Sequence, residues 1–284
     1  MTVNERVNAE RLVVLGWGRA ILLQLAHPLV AAGVADHSTF RSGPFARVRR
    51  LHATIGAMRA LTFGTAPEVT DAVNGINAIH DRVHGTLHET VGPFPAGTPY
   101  SAHDPDLLRW VDATLRDSLP RAYALFVAPL SSDERDRYCA EGDEVMERLG
   151  IPVRSRPATE AALQAYMRQM IEGGTIAVGR TARELGREVV APPFWRLLWP
   201  AGRINRLATI GLLPPGIREA YGLPWTGDDQ RALDGWARRI RRWRRHAPDA
   251  LALWPGSREQ GGSGPQPSDA GAHGARQPDD GPES

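Results

Sequence analysis

Apolar residues recur at steps of three and four along nearly the whole chain, the spacing that aligns side chains on one face of an α-helix. No stretch alternates apolar and polar residues over enough positions to predict a strand. The sequence therefore predicts an all-α fold, a single multi-helix domain of about ten helices. The predicted helices are Glu10 to Ala26, a short one after Pro28, Pro44 to Phe63, Pro67 to Leu87, Pro105 to Val127, Ser132 to Leu149, Ala158 to Ile171, Ile176 to Glu188, Phe194 to Leu212 and Asp228 to Arg245.

Local signals support several of these helix ends. Proline is tolerated in a first helical turn, where its missing N–H needs no partner. Asp104, directly before Pro105, is a typical N-cap residue, and Gly64 and Gly150 follow periodic runs as C-terminal caps do. A kink is expected at Pro120, inside the predicted helix Pro105 to Val127.

The chain divides by composition into a folded part and a tail. With 284 residues and 42% hydrophobic residues it can bury one large core. We expect a helical domain over residues 1–255. Residues 256–284 carry almost no apolar side chains, and we expect them to form a disordered C-terminal tail.

All 34 basic residues are arginine, which indicates a GC-rich genome such as an actinobacterial one. The net charge is only +2, whereas a general nucleic-acid binder usually carries a larger excess of positive charge. We therefore expect no nucleic-acid partner.

The single Cys139 excludes an internal disulfide and favours a reducing, cytoplasmic location. Leu12 to Val34 is the one apolar stretch long enough to suggest a membrane span, but Arg19, Gln24 and His27 interrupt it. It is interpreted as a buried helix, and no transmembrane segment is predicted.

His80 is the one polar residue in an otherwise apolar helical stripe. The stripe consists of Val69, Val73, Ile76, His80, Val83 and Leu87. A buried imidazole needs partners for its ring nitrogens, because an unsatisfied buried polar group costs roughly 1–3 kcal/mol. That partner is either a metal centre or, as in many core histidines, a neighbouring carbonyl, and the pattern alone leaves both open.

His84 follows His80 by four residues, and the two could face one metal ion on a helix. No carboxylate or second histidine pair with ligand spacing accompanies them, so a zinc or di-iron site is poorly supported. The pattern suits one axial ligand, His80, with His84 at the edge of the stripe.

Arg50 and Thr54 are also four residues apart, on the preceding predicted helix, where Thr54 aligns with Leu51, Met58 and Leu61. A cation and a hydroxyl directed inward from an apolar face could hold an anionic group and an oxygen ligand. The alternative is an exposed arginine beside a threonine without a role.

Other polar clusters have simpler interpretations. His27, before Pro28, is expected to cap a helix end. Asp36, His37 and Ser38 are too close in sequence to form a hydrolase triad, whose members converge from separate elements.

Residues 237–246 contain six arginines around Ile240 and Trp243, the strongest basic patch of the chain. It could bind phosphate or an anionic membrane surface. The alternative is a solvated arginine helix that packs Trp236, Ile240 and Trp243 inward. The segment Phe194 to Leu213 is also amphipathic, and its pattern is compatible with a core helix, an interface or a membrane contact.

Several segments, in order and spacing, resemble the family that groups the catalytic domains of rubber oxygenase (latex-clearing protein) and the MpaB-type oxygenase of mycophenolic acid biosynthesis. They are QLAHPLVAAGVADHSTF at 24–40, RLHAT at 50–54, FG at 63–64, INAIHDRVHG at 76–85, YSAHDPDLLRWVDATL at 100–115 and GLLPPGIREAYGLPW at 211–225.

The resemblance implies an all-α fold enclosing a pocket for one b-type haem. The family's axial iron ligand, the histidine of its HxxV motif, corresponds to His80, and the arginine and threonine of its RxxxT motif correspond to Arg50 and Thr54. Rubber oxygenases carry a lysine before that threonine, where this chain has Ala53, so no lysine-closed resting state is expected. Asp112 replaces the histidine of the family's WVHATL motif, which puts the role of that position in doubt.

The expected function is that of a haem b-dependent oxygenase that uses dioxygen on a small apolar, alkene-containing substrate such as a terpenoid or lipid. Arg50 and Thr54 are the candidate catalytic residues, Arg50 and His80 bind the cofactor, and His80 ligates the iron. The alternatives are a haem-binding sensor or carrier without turnover and a metal-free helical interaction protein. Peripheral membrane contact is compatible with the sequence, and the oligomeric state is not determined by it.

Overall fold

The structure is a computed structural model that describes residues 1–37, 44–191 and 200–257, without the side chains of residues 44–51. In these residues the secondary structure is helical apart from one two-stranded sheet. The prediction of an all-α single domain is confirmed.

The described helices outnumber the roughly ten predicted, because several are short. The α-helices are α1 Val3–Ala9, α2 Trp17–Leu25, α3 Pro28–His37, α4 Pro44–Phe63, α5 Ala66–His80, α6 Pro105–Phe126, α7 Ser132–Ala140, α8 Asp143–Arg148, α9 Glu160–Glu172, α10 Arg180–Val190, α11 Ala201–Gly211, α12 Pro215–Tyr221, α13 Gly227–Arg244 and α14 Asp249–Ala252. Two 3-10 helices are η1 Arg11–Gly16 and η2 Val153–Ser155.

Two predicted helices are divided in the structure. The prediction over Ser132 to Leu149 becomes α7 and α8, because Gly142 adopts a left-handed conformation with φ of +82° that a helix cannot contain. The prediction over Glu10 to Ala26 becomes η1 followed by α2. In contrast, α6 continues unbroken through Pro120, and Asp104 caps its first turn as predicted.

The predicted helix from Pro67 to Leu87 was wrong in its second half. Helix α5 ends at His80, and the chain then forms strand β1 His84–Thr86, which pairs antiparallel with β2 Pro99–Ser101. Gly85 lies opposite Tyr100, and a side chain at Gly85 would collide with the tyrosine ring. Strands of three residues are too short for alternation to show in the sequence.

The centre of the domain is the packing of α2 against α6 and α11. The Trp110 indole is fully buried and donates to the Leu23 carbonyl at 3.1 Å. Gly18 lies against Thr209 so closely that any added Cβ would overlap its side chain. These contacts explain why the apolar stretch from Leu12 to Val34 is buried in the core.

Buried ion pairs cross this core. Arg19 and Asp117, each 3% exposed, form an ion pair at 2.5 Å, and Arg19 also donates to Ser118 Oγ. The buried Asp112 carboxylate accepts from Arg116 Nε at 3.0 Å and from Arg156 Nε at 3.2 Å. Removing one partner from such a network would leave an uncompensated charge in the core.

No single described helix has the length and hydropathy of a membrane span, although the pair Arg11–Leu25 and Pro28–His37 reaches that threshold when counted together, with a 105° bend between them. Three predictions concern residues outside the described ranges. They are the turn residue Ser38, the first six residues of the helix predicted over Phe194 to Leu212, and the tail after Ser257.

Candidate functional site

Helix α5 positions His80 at its last residue. A capping box begins the helix: Glu68 accepts from the Thr65 backbone N–H at 2.7 Å and from the Thr65 hydroxyl at 2.8 Å. At the other end the His80 carbonyl accepts from the Val83 N–H at 3.0 Å. The helix therefore presents His80 at the start of a turn.

The His80 ring is largely buried but not fully paired. Its Nδ1 atom is buried and has no hydrogen-bond partner in the part of the chain that the structure describes. Burial lowers the pKa of His80, the nearby His103 lowers it further, and Asp81 opposes both. The ring is therefore neutral at neutral pH, the form in which imidazole ligates a metal.

A second histidine supports the first. The His80 and His103 rings are nearly perpendicular, with centroids 5.8 Å apart. The His103 Nε2–H donates to the Asp81 carboxylate at 2.7 Å, which fixes the orientation of His103. Sequence reasoning missed this contact because His103 follows His80 by 23 residues, and only the β1–β2 hairpin brings the two together.

The helix predicted to contain both His80 and His84 ends at His80, so the two histidines do not lie on one helix. His84 lies on β1 with its side chain exposed, and its carbonyl oxygen accepts from His37 Nε2–H at 2.9 Å. Val83 and Leu87 also lie beyond the helix, so the α5 stripe consists of Val69, Val73, Ile76 and His80. Val83 and Leu87 instead join the apolar cluster around Tyr100.

The remaining predicted site residues lie on α4. Thr54 is exposed, in contrast to the predicted inward direction, while Met58 and Leu61 of the same predicted line are half-buried. Arg50 lies on α4 as well, but its side chain is outside the described residues. The structure therefore places Arg50 and Thr54 on the helix before α5 without showing a joint site with His80.

The apolar side of α5 is only partly covered by the residues that the structure describes. Val73 is the one fully buried residue of this helix, Val69 and Ile76 are half-buried, and the neighbouring Ile79 is 55% exposed. A partly covered apolar helix side next to a neutral, incompletely paired imidazole fits a large planar apolar cofactor with a metal at its centre. The residues present are thus compatible with haem.

A metal site with several protein ligands is not formed by the described residues, which contain no group of three or more His, Cys, Asp or Glu side chains in a ligating arrangement. A cofactor that brings its own equatorial ligands needs one protein ligand only. His80 meets that requirement.

Other predicted polar residues have structural roles. His27 Nδ1 accepts from the Leu29 N–H at 3.3 Å at the start of α3, in agreement with the predicted cap. Asp36 accepts from the Tyr100 hydroxyl at 2.6 Å and from His88 Nε2–H at 3.2 Å, which attaches the hairpin to α3.

A cleft lies between η1, α4 and the end of the described chain. Its apolar lining includes Val13, Trp17, Ile55, Met58, Phe63 and Trp254. Ile55 directly follows Thr54, so this cleft shares α4 with the candidate catalytic residues but does not include His80.

These features define a class: an all-α protein whose candidate cofactor site rests on a single histidine at a helix end. Comparison with family models narrows the class, because residues 5–242 match the family described as ER-bound oxygenase mpaB/B'/Rubber oxygenase, catalytic domain. The chain belongs to this oxygenase family, as its motifs suggested. No curated protein and no solved structure matched the chain.

Proposed function

We propose that the protein is a haem-dependent oxygenase in which His80 would hold the iron of one b-type haem. The proposal rests on the half-buried His80 imidazole, whose buried Nδ1 atom has no partner among the described residues. Leaving a buried polar atom unpaired costs roughly 1–3 kcal/mol. Bound iron would give this ring a partner that the described protein does not supply.

When bound, haem supplies the redox chemistry that activates dioxygen. The chain supplies a neutral imidazole, because burial lowers the pKa of His80. His103, held by Asp81, stands against the His80 ring and limits its rotation.

We assign Arg50 and Thr54 to the reacting side of the site. Arg50 would anchor an anionic group, such as a haem propionate, because a guanidinium binds a carboxylate through two hydrogen bonds. Thr54 would donate a hydrogen bond toward dioxygen. Ala53, between them, carries no amine that could bind a metal.

The proposed substrate is a small apolar molecule with an alkene group. The family description names rubber oxygenase, whose substrate is a polymer of alkene units. We further propose a cytoplasmic location, compatible with the buried free thiol of Cys139.

The test is to purify the full chain with and without added haem, record its absorption spectrum, and measure oxygen uptake with a short isoprenoid such as squalene. We expect a haem absorption band and substrate-dependent uptake in the wild type. His80→Ala, treated identically, should show neither.

Each failure has a distinct meaning. A haem band without oxygen uptake across alkene substrates would contradict the oxygenase proposal and favour a haem sensor or carrier. A protein that binds no haem under any condition would contradict the cofactor assignment and favour a metal-free interaction protein.

A further inference from the structure

Helix α13 separates its residues into two sides. The inner side packs on the core through Leu233 and Ala237, both buried, and through the half-buried Trp236 and Ile240. This packing includes Leu207 and Ala208 of α11. The apolar side of α13 is therefore already occupied by the protein itself.

The outer side is cationic. The exposed residues at the C-terminal end of α13 and just after it are here called the arginine face. They are Arg238, Arg239, Arg242, Trp243, Arg245 and His246. Arg238, Arg242 and Arg245 follow one another at steps of four and three, so they line one helical edge. Trp243 is 49% exposed, so the predicted inward packing of this indole was wrong.

The carboxylates near α13 do not neutralise the positive charge of the arginine face. Glu10 forms a bidentate ion pair with Arg244, at 2.5–2.9 Å, and Asp249 also pairs with Arg244. The acidic residues of α13 itself, Asp228, Asp229 and Asp234, precede the face in the sequence. Within the described ranges, the three arginines of the helical edge form no ion pair.

We infer that the arginine face binds the surface of an anionic lipid bilayer. Guanidinium groups pair with lipid phosphates, and an indole with one exposed side is the side chain that settles at the boundary between headgroups and acyl chains. Leu251, 60% exposed on the following helix α14, adds a second large apolar side chain at this end of the molecule.

The same features argue against a nucleic acid. Four arginines and one histidine on two helical turns are a short cationic surface, and the chain as a whole carries a net charge of only +2. An exposed tryptophan at its centre adds affinity for a lipid interface but not for a duplex phosphate backbone. Because α13 has no free apolar side to insert, the contact is shallow, reversible and sensitive to salt.

The experiment is co-sedimentation of the full chain with two kinds of vesicle. One kind is phosphatidylcholine alone, and the other contains about 30% phosphatidylglycerol as the anionic lipid. We expect binding to the anionic vesicles only, declining as salt is raised. The triple variant Arg238→Glu/Arg242→Glu/Arg245→Glu should lower the partition coefficient by about 100-fold, since each arginine near such a surface contributes about fivefold. Trp243→Ser should weaken binding at high salt, where the electrostatic contribution is screened.

The matched control is Arg154→Glu/Arg168→Glu/Arg187→Glu, which reverses three exposed arginines on η2, α9 and α10. It changes the net charge equally but lies off the face, so it should bind vesicles as the wild type does. Equal losses in both triple variants would overturn the inference, because net charge alone would then explain binding. Tighter binding to duplex DNA than to vesicles, or salt-sensitive self-association in place of vesicle binding, would overturn it as well.

Discussion

The imidazole rings of His80 and His103 stand at 84° to each other with centroids 5.8 Å apart, and Asp81 holds His103 in place at 2.7 Å. His80 belongs to α5 and His103 to the turn before α6, so the contact joins the end of one helix to the start of another. This places a supported imidazole beside the partly covered apolar side of α5.

His80→Ala is expected to abolish the haem absorption band, or to leave a weak band that added imidazole restores, while the helical circular-dichroism signal persists. The reason is that burial keeps the His80 ring neutral and that His80 is the proposed iron ligand. His84→Ala is the control, because His84 is exposed on β1 and should keep its haem. Loss of haem in the His84 variant alone would move the ligand to His84, and retention in both variants would make His27 the next candidate.

Arg50→Ala and Thr54→Ala are expected to retain most of the haem but to lose most oxygenase activity, because a cation and a hydroxyl that act on dioxygen do not hold the iron. Haem content and oxygen uptake are the two measurements. His52→Ala is the control, since His52 is exposed on the same helix. Haem loss confined to Arg50→Ala would instead assign Arg50 to a propionate, and wild-type activity in both variants would remove them from the site.

The predicted and observed helices together show which features of the fold a local sequence pattern can predict. Helices such as α6 and α13 bury one side over four or more turns, and their periodicity and N-caps predicted them within a residue or two. After α5 ends at His80 the chain forms β1, in which Gly85 faces Tyr100, a partner 15 residues away. The pattern of residues around position 80 does not show this pairing.

The residues of the candidate site also divide into those that a local sequence pattern indicates and those that only tertiary packing brings together. His80 could be predicted because it interrupts a local stripe, and the spacing from Asp112 to Arg116 is a helical i,i+4 pair visible in the sequence. His103 and Arg156 reach the same places through tertiary packing alone. The predicted inward direction of Thr54 was wrong because a line of apolar neighbours does not establish which side of α4 is covered.

Asp112→Ala is expected to lower the free energy of unfolding by about 3–5 kcal/mol, because it leaves Arg116 and Arg156 buried without their shared carboxylate. The measurement is equilibrium unfolding in urea. Asp228→Ala is the matched control, since it removes an exposed ion pair with Arg231 and should cost less than about 1 kcal/mol. Equal losses in the two variants would show that the core network contributes no more than a surface pair.

Folding stability should fall as the pH is lowered from 6.5 toward 4, and His27 should account for part of the loss. Burial lowers the pKa of His27 from 6.5 to about 4, with Asp104 opposing. Between these values the unfolded chain binds a proton that the folded chain does not, so the stabilisation is complete above pH 6.5 and disappears toward pH 4. The full difference is about 3 kcal/mol.

His27→Asn isolates this effect, because asparagine keeps a hydrogen-bond acceptor for the Leu29 N–H but does not titrate. Urea unfolding at pH 7.5 and pH 5 should therefore show a smaller drop for the variant than for the wild type. Parallel drops in the two proteins would place the pH dependence elsewhere.

The chain should fold without the residues after Ser257, since that segment has too little apolar surface to offset an ordering entropy of roughly 1–2 kcal/mol per residue.

The residues just before this segment, Trp254 and Pro255, contact the helical domain. The Trp254 N–H donates to the Ala9 carbonyl at 2.9 Å, the Trp254 ring lies 5.4 Å from the Arg11 guanidinium, and the Pro255 carbonyl accepts from Arg59 at 2.7 Å. A chain ending at Ser257 should keep the wild-type melting temperature, whereas one ending at Leu253 should melt several degrees lower, since each kcal/mol corresponds to about 2–4 °C at this size. A large decrease for the longer chain would show that the tail takes part in the fold, and no decrease for the shorter one would show that the Trp254 contacts do not hold α1 and α4 to the C-terminus.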